Sequence, residues 1–242
     1  MKLDILAIAV HPDDVELGCA GTLMIHAQQG MKVGVVDLTR GELGSRGTPE
    51  LRAQEAQAAA KIMGLEVREN LGLADGFFRN DTMEQMTIIT AIRKYRPEIV
   101  LANAMDDRHP DHGRAGKLIA DSCFLAGLRK IETTADGQAQ EAWRPKQVFH
   151  FLQDRYHQPD FVIDITPVME RKLEAIKSFS SQFLAPKDHE PQTYISGSGF
   201  FDSVIYRAKM LGKMVGVEYA EGYTSAKMIG IRSLADVISE NT

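Results

Sequence analysis

Two short clusters of histidine and aspartate are the residues of this sequence best suited to chemistry. Residues 11–14 read His-Pro-Asp-Asp, and residues 109–112 read His-Pro-Asp-His. Two imidazoles and one carboxylate suit a catalytic zinc ion (Zn²⁺), because three protein ligands leave a fourth tetrahedral position open for water. The same ligand types also suit ferrous iron (Fe²⁺). A histidine and a carboxylate then remain, and a hydrolase needs such groups to move a proton and to stabilise a tetrahedral intermediate.

Both clusters follow predicted buried strands. An apolar run at residues 3–10 leads into the first cluster, and another at residues 98–103 ends shortly before the second. Strands, polar loops and helices alternate through the first half of the chain. This predicts a single Rossmann-like α/β domain over residues 1–242, with a mostly parallel sheet and helices on both faces. Because the loops after parallel strands meet at one edge, we expect the two clusters to be spatial neighbours.

The other elements are predicted from the spacing of apolar residues and from Gly and Pro breaks. Helices are expected at residues 19–29, 49–63, 82–95, 113–128, 167–179 and 201–215, and strands at residues 32–38, 147–152, 161–165 and 228–231. Residues 130–143 are predicted to form a surface excursion. The long irregular stretch at residues 180–200 is typical of a lid or an interface loop.

Composition and charge disfavour several classes of protein. With 44% hydrophobic and 25% charged residues, the chain resembles an ordinary globular protein rather than a disordered one. The net charge of -5 has no long run of one sign, which gives no reason to expect nucleic acid or an anionic membrane as partner. Cys19 and Cys123 form no Cys-x-x-Cys pair, and residues 1–10 are too short an apolar run for a signal peptide. We therefore expect a cytoplasmic protein with a small-molecule substrate.

The motifs resemble those of a known enzyme family. His-Pro-Asp-Asp-Val-Glu-Leu-Gly at residues 11–18 and His-Pro-Asp-His at residues 109–112 resemble the two signature motifs of the LmbE-like, or PIG-L-type, N-acetylglucosamine deacetylases. Residues 39–47 and Arg52 also resemble that family's substrate loop and the helix that follows it. Within the family, the sequence is most similar to the bacillithiol-biosynthesis deacetylases, which hydrolyse N-acetylglucosaminyl malate.

The resemblance implies a role for each residue of the two clusters. The implied metal ligands are His11, Asp14 and His112. Asp13 would be the general base, His109 would donate a hydrogen bond or a proton to the oxyanion, and Asp111 would orient the His109 ring. The chain would thus be a zinc-dependent N-deacetylase acting on an N-acetylglucosamine-type substrate, with N-acetylglucosaminyl malate favoured.

The resemblance also implies substrate contacts. Arg52 would contact the substrate near the acetyl group or the sugar, and Glu42 and Arg46 belong to the substrate loop. Tyr194 matches a family tyrosine that reaches the site of a neighbouring subunit, and the family likeness favours a homo-oligomer, a hexamer. Arg46 and Arg52 would suit a carboxylate on the aglycone, because arginine forms bidentate pairs with carboxylates.

Several alternatives stay open at this point. Another N-acetylated amino sugar, or a non-sugar amide, would use the same metal chemistry. A nucleotide-binding module of Rossmann-like shape is disfavoured, since no Gly-x-Gly-x-x-Gly follows the first strand. Glu42 and Arg46 also suit a polar surface loop, and Glu16 suits an acid favoured by the helix dipole. Either Asp13 or His109 could protonate the departing amine.

Overall fold

Strand β1 (Ile5–Ala9), which pairs with a strand on each side, is buried along its whole length. Its odd-numbered side chains pack in one hydrophobic core and its even-numbered side chains in a second. Successive side chains of a strand point to opposite faces, so both faces of β1 are covered. Burial on both faces is typical of the parallel sheets of α/β proteins.

The computed structural model describes residues 1–184 and 190–234, apart from the side chain of Ser198. The strands are β1, β2 (Val33–Thr39), β3 (Val67–Leu73), β4 (Ile99–Asn103), β5 (Thr134–Ala135), β6 (Gln138–Ala139), β7 (Gln147–Phe151), β8 (Phe161–Asp164) and β9 (Ala220–Ser225). Over the described ranges, seven of them form one sheet in the order β3-β2-β1-β4-β7-β9-β8, and β5 pairs with β6. Strands β3, β2, β1, β4 and β7 are parallel, whereas β9 is antiparallel to both its neighbours. The predicted mostly parallel, Rossmann-like α/β fold is confirmed.

Helices cover both faces of this sheet. They are α1 (Asp14–Gly18), α2 (Ala20–Gln28), α3 (Pro49–Met63), α4 (Thr82–Tyr95), α5 (Pro110–Ala126), α6 (Met169–Lys177), α7 (Ser180–Phe183) and α8 (Ser198–Val215). Helices α1, α2, α3, α6 and α8 contribute to one core, and α4 and α5 to the other. The chain therefore leaves β1 towards one face and the adjacent β4 towards the opposite face. This divergence opens a crevice at the carboxyl ends of the two strands.

The start of α5 differs from its prediction in a way that affects the second cluster. The helix begins at Pro110 rather than at residue 113. Proline suits the first helical position, and the His109 side chain caps the helix by accepting a hydrogen bond from the Asp111 backbone. Asp111 and His112 thus lie in the first helical turn, where the backbone fixes their direction.

Strand β3 was not predicted, because it reads as a polar segment. Its Arg68 is an unusual residue for a sheet interior, but the guanidinium is buried in ion pairs with Glu16 and Asp37. Neutralisation by these two carboxylates makes the burial tolerable. Glu16 is therefore a paired core residue.

The strand predicted at residues 228–231 is wrong. Met228 there is 92% exposed, and the strand lies instead at β9, whose sequence is largely polar. Its Glu221 is buried and paired with Lys172 at 2.6 Å. Because this buried strand contains a paired charged residue, its sequence does not show the apolar pattern from which strands are predicted.

The predicted irregular stretch at residues 180–200 and the predicted single domain both include residues that the structure does not describe. The stretch predicted as irregular contains α7 and a 3₁₀ turn at Tyr194–Ser196, whereas residues 185–189 lie outside the described residues. Residues 235–242 also lie outside them, so a single domain over residues 1–242 stays a prediction. No helix in the described part of the chain is long and apolar enough to cross a membrane.

Candidate active site

The loops that follow five parallel strands meet at one edge of the sheet and enclose a cavity of about 320 Å³. The loops after β1 and β4 carry the two clusters, and those after β2, β3 and β7 complete the walls. The ring centroids of His11 and His112 lie 5.7 Å apart, and those of His11 and His109 lie 4.9 Å apart. The expectation that the two clusters are spatial neighbours is confirmed.

His11, Asp14 and His112 form a group that could hold a metal ion. Each offers one ligand atom, and these atoms all lie within 4.8 Å of one another. Asp14 Oδ1 lies 3.2 Å from Nε2 of His112, and Asp14 Oδ2 lies 3.6 Å from Nδ1 of His11. Two imidazoles and one carboxylate are a donor set that suits zinc or ferrous iron. The residues therefore fit a divalent cation.

Two aspartates that the sequence analysis missed hold the other nitrogens of these rings. Nδ1 of His112 lies 2.6 Å from Asp107 Oδ2, and Nε2 of His11 lies 3.0 Å from Asp75 Oδ1. Carboxylate partners of this kind orient the imidazole of a metal ligand and increase its basicity. Asp107 precedes the second cluster closely enough to have been considered. Asp75 gave no signal, because it follows the unpredicted strand β3.

The carboxylate of Asp14 is also held by polar groups from distant parts of the chain. Its Oδ2 accepts hydrogen bonds from the His11 backbone N–H at 3.0 Å and from the Asn103 amide at 3.2 Å. Its Oδ1 accepts one from the Gln153 amide at 2.6 Å. A buried carboxylate requires such partners. They fix the direction in which Asp14 presents its oxygens.

The electrostatics of the metal-free group favour protonated rings beside an ionised carboxylate. Burial lowers the pKa of His11, but the hydrogen bonds to Asp14 and Asp75 outweigh it and raise the pKa to about 10. Burial likewise lowers the pKa of His112, but the charge of Asp14 and the hydrogen bond to Asp107 outweigh it and raise the pKa to about 9. Burial would raise the pKa of Asp14, but the charge of His112 holds it well below its usual range. Since a metal must displace these protons, its binding should weaken as pH falls.

Asp13 is held next to this group in an uncommon backbone conformation. Its φ angle is 139°, in a region that non-glycine residues rarely adopt. Residues held in such conformations cluster at functional sites. Burial raises the pKa of Asp13 to about 7, although the charge of Arg52 acts in the opposite direction. A buried carboxylate with a pKa near neutrality is suited to accepting and returning a proton.

Arg52 lines the cavity, but its guanidinium already makes hydrogen bonds and an ion pair within the chain. Nη2 lies 3.1 Å from Asp13 Oδ2 and donates to the Pro12 carbonyl at 2.8 Å, and Nη1 donates to the Gly41 carbonyl at 3.3 Å. A Cβ on Gly41, where φ is 66°, would lie 1.8 Å from Nη1, so only glycine fits there. In this structure Arg52 positions Asp13. Its predicted contact with substrate stays a prediction.

His109 faces the cavity as a neutral ring. Burial lowers its pKa, and the positive charges of His11 and His112 lower it further. Its Nδ1 accepts a hydrogen bond from the Asp111 backbone N–H at 3.3 Å, so the neutral ring carries its proton on Nε2. The expected orienting contact of Asp111 therefore comes from its backbone. The Asp111 carboxylate instead accepts hydrogen bonds from Gly76 N–H and Arg114, each at 2.9 Å.

Arg46 and Glu42 are not among the residues that line the cavity, and their contact with substrate stays a prediction. The buried Arg46 guanidinium donates to the Leu184 carbonyl at 2.9 Å and to Glu190 at 3.0 Å. Glu42 accepts a hydrogen bond from the Asp75 backbone N–H at 2.9 Å. Arg46 connects the loop after β2 to the segment after α7, and Glu42 connects it to the loop after β3. The polar residues of this loop brace the walls of the cavity.

Tyr194 lies at the rim and is 60% exposed. Its hydroxyl donates to Asp154 Oδ1 at 3.2 Å, and the Arg108 guanidinium lies 4.2 Å from its ring centroid. Asp154 and Arg108 both line the cavity. Whether Tyr194 reaches the site of a neighbouring subunit stays a prediction.

Comparisons with known proteins identify the family. Residues 6–123 match the family model described as PIG-L, GlcNAc-PI de-N-acetylase. The chain is 30% identical to the diacetylchitobiose deacetylase of Thermococcus kodakarensis over 231 residues, which cover 90% of this chain and 81% of that protein. The chain belongs to the PIG-L family. The crystal structure of the conserved protein TT1542 from Thermus thermophilus is similar, with a TM-score of 0.84 and 34% identity over 95% of this chain and 98% of that one.

Other proteins similar to the chain differ in the reactions and substrates that their names give. The chain is 26% identical to the 4-oxalmesaconate hydratase of Pseudomonas putida over 98% of its own length and 91% of that protein. It is 23% identical to a probable N-acetyl-α-D-glucosaminyl L-malate deacetylase of Bacillus anthracis over 80% of its length and 87% of that protein. The predicted family is thus confirmed, whereas the particular likeness to bacillithiol deacetylases is not supported.

The pair formed by Asp107 and His112 leads to a first prediction. Asp107→Asn is expected to lower the affinity for zinc by about 10- to 100-fold, because the amide no longer increases the basicity of the His112 ring. Competition with a chromogenic chelator measures this affinity. Asp106→Asn is the matched control, since the Asp106 side chain is 60% exposed and pairs with Arg155. Equal affinities for Asp107→Asn and the unchanged protein would show that this contact does not support the metal ligand.

Proposed function

We propose that this protein is a metal-dependent hydrolase that removes the acetyl group from an N-acetylglucosamine-type substrate. One observation carries the proposal: Asp13 and His109 line the same cavity as the potential ligands His11, Asp14 and His112. A base and a hydrogen-bond donor beside a metal site are the groups that hydrolysis of an amide requires. The relatives that are amino-sugar deacetylases support an amino-sugar substrate.

The residues of the chain divide the work of the reaction. A divalent ion held by the three ligands would supply Lewis acidity, which acidifies water and polarises a carbonyl oxygen. Asp13, held by Arg52, would accept the proton of the attacking water. His109 would donate its Nε2–H to the oxygen that becomes negative when the acetyl carbonyl is attacked. A proton returned by Asp13 or His109 would then allow the amine to depart.

Acetate release tests this proposal directly. Metal-stripped, zinc-loaded and iron-loaded protein would each be incubated with N-acetylglucosamine, diacetylchitobiose, N-acetylglucosaminyl malate and an N-acetylated amino acid. We expect metal-dependent release from the sugars. Release from the amino acid alone would support a metal-dependent hydrolase but contradict an amino-sugar substrate. Full activity in metal-stripped protein would contradict the metal-dependent mechanism.

A second candidate is a hydratase, favoured by the match to 4-oxalmesaconate hydratase over nearly the whole chain. Asp13 and His109 would then serve as the base and acid that add water across a carbon–carbon double bond. The same preparations would be incubated with 4-oxalmesaconate and followed by ultraviolet absorbance. Hydration without acetate release from any sugar would favour this candidate over the deacetylase.

Three finer features are part of the proposal. Zinc is proposed over ferrous iron, N-acetylglucosaminyl malate over other N-acetylated amino sugars, and a homo-hexamer over a monomer. The similarity to a probable N-acetyl-α-D-glucosaminyl L-malate deacetylase supports the malate substrate, and the resemblance of the motifs to those of the family supports zinc and the hexamer. Metal analysis of protein purified without added metal, kcat/KM across the sugar panel, and sedimentation velocity measure them separately.

A further inference from the structure

We propose that Gln182 is a specificity-determining residue, whose side-chain amide oxygen accepts a hydrogen bond from the C3 hydroxyl of the N-acetylglucosamine unit. This inference rests on the proposed function and deepens it by naming a group of the sugar that the site recognises. Gln182 belongs to α7 and lines the cavity that also contains the potential metal ligands. The residue is only 6% exposed, so its polar atoms need partners within the chain or in a ligand.

Hydrogen bonds fix the orientation of the Gln182 amide. Its Nε2 donates to the Arg46 carbonyl at 2.8 Å and to the Ser181 hydroxyl at 2.9 Å. The reversed amide would place its oxygen against the Arg46 carbonyl oxygen, and two acceptors cannot form a hydrogen bond with each other. The nitrogen is therefore occupied within the chain, and the oxygen is left to accept.

The amide oxygen of Gln182, Oε1, lacks a donor. Across residues 1–184 and 190–234, no group donates a hydrogen bond to it. The described residues do not fully enclose this oxygen, so a ligand in the cavity can contact it. Gln153, which also lines the cavity, differs because its oxygen accepts from Asn103 at 3.3 Å and its nitrogen donates to Asp14 at 2.6 Å. Since an unpaired buried acceptor is costly, a ligand that supplies the missing donor should bind more tightly.

The neighbouring residues hold Gln182 firmly in place. Glu55 of α3 accepts hydrogen bonds from the Ser181 backbone N–H at 2.8 Å and from the Ser181 hydroxyl at 2.7 Å. The Ser180 hydroxyl donates to the same carboxylate at 3.1 Å, and Arg46 donates to the Gln182 carbonyl at 3.3 Å. An acceptor that is already fixed in position loses little freedom when a ligand binds.

The chemistry of the sugar indicates which group supplies the donor. The acetamido group is carried by C2, and the proposed function places it at the metal ligands. The nearest polar substituents are therefore those on C1 and C3. In a glycoside the C1 oxygen is an ether without a proton, whereas the C3 hydroxyl can donate. The cavity of about 320 Å³ is near the lower end of the roughly 300–1,000 Å³ of small-ligand sites, so a group that lines it lies close to a bound sugar ring.

Binding of amine products to the zinc-loaded full chain tests this contact without requiring turnover. The probes are methyl glucosaminide and its 3-deoxy and 4-deoxy derivatives, each measured by calorimetry. We expect the unchanged protein to bind methyl glucosaminide about 5- to 100-fold more tightly than the 3-deoxy derivative, which cannot supply the donor. Gln182→Met should reduce this ratio to about 1, because a thioether sulfur is a weak acceptor. Gln57→Met, at an exposed position of α3 outside the cavity, should keep the ratio.

A purely structural role of Gln182 would give a different result. Displacement of α7 would weaken binding of the parent and 3-deoxy probes by the same factor and leave their ratio unchanged. Thermal melting shows whether Gln182→Met is folded, and Gln182→Leu is a second apolar variant. An unchanged ratio in these variants, or equal binding of the two probes by the unchanged protein, would overturn the inference. If the variants instead abolished discrimination against the 4-deoxy probe, the assignment to the C3 hydroxyl would be wrong.

Acetate release separates this inference from the proposed function. Release from methyl N-acetylglucosaminide and from its 3-deoxy derivative with equal kcat/KM would support the deacetylase and overturn the contact. A binding ratio that Gln182→Met abolishes, without acetate release from any acetylated sugar, would support the contact and contradict the deacetylase. Failure of every probe to bind would contradict both.

Discussion

Asp13→Asn is expected to lower kcat by about 10²- to 10⁴-fold while the metal content stays unchanged. The substitution keeps the size of the side chain, but an amide cannot accept the proton of the attacking water. Asp13 also lies outside the group of three ligands, so the metal should still bind. Acetate release and metal analysis on the same preparation measure the two quantities together.

The pH dependence of the activity is a second test of Asp13 as the base. A base must be ionised to act, and burial raises the pKa of Asp13 to about 7 in the metal-free protein. A bound cation lowers the pKa of a neighbouring carboxyl, so activity should rise with pH along a limb at or below pH 7. Asp106→Asn, with its exposed side chain, should keep both the activity and the limb. Normal turnover by Asp13→Asn would remove Asp13 as the base.

The main features of the site could be predicted because they are local in sequence. Each cluster lies within four consecutive residues and follows an apolar run that becomes a parallel strand, β1 or β4. The rule that the loops after parallel strands emerge at one edge of the sheet then brings the clusters together. Neither step required knowledge of a distant contact.

The supporting groups could not be predicted, because their roles depend on distant partners. Asp75 is 64 residues from His11, and Gln153 is 139 residues from Asp14. The partner of Arg46 could not be predicted for the same reason. An arginine in a glycine-rich loop looks the same in sequence whether it faces a substrate or, as here, the carbonyl of Leu184.

The same long-range pairing explains why two strands were misjudged. Helix α1 begins at Asp14, and buried charges hold its middle and its last turn: Glu16 pairs with Arg68 of β3, and the Leu17 carbonyl accepts a hydrogen bond from Lys172. Lys172 in turn pairs with Glu221 of β9. Hydrophobic patterning reads these charged residues as exposed, although they position the helix that carries a potential metal ligand.

His112→Ala is expected to remove metal binding and turnover together. Loss of one ligand of three should exceed the about 10- to 100-fold effect of losing a ligand's carboxylate partner. Because the substitution removes one buried partner from each of Asp107 and Asp14, thermal melting must show that the variant is folded, and His112→Asn provides a polar alternative. His26→Ala is the matched control, since that ring bonds to the Thr22 carbonyl of its own helix and lies outside the cavity. A folded, metal-free His112→Ala that still released acetate would exclude this group of residues as the source of the chemistry, and chelated unchanged protein should reproduce the loss without any mutation.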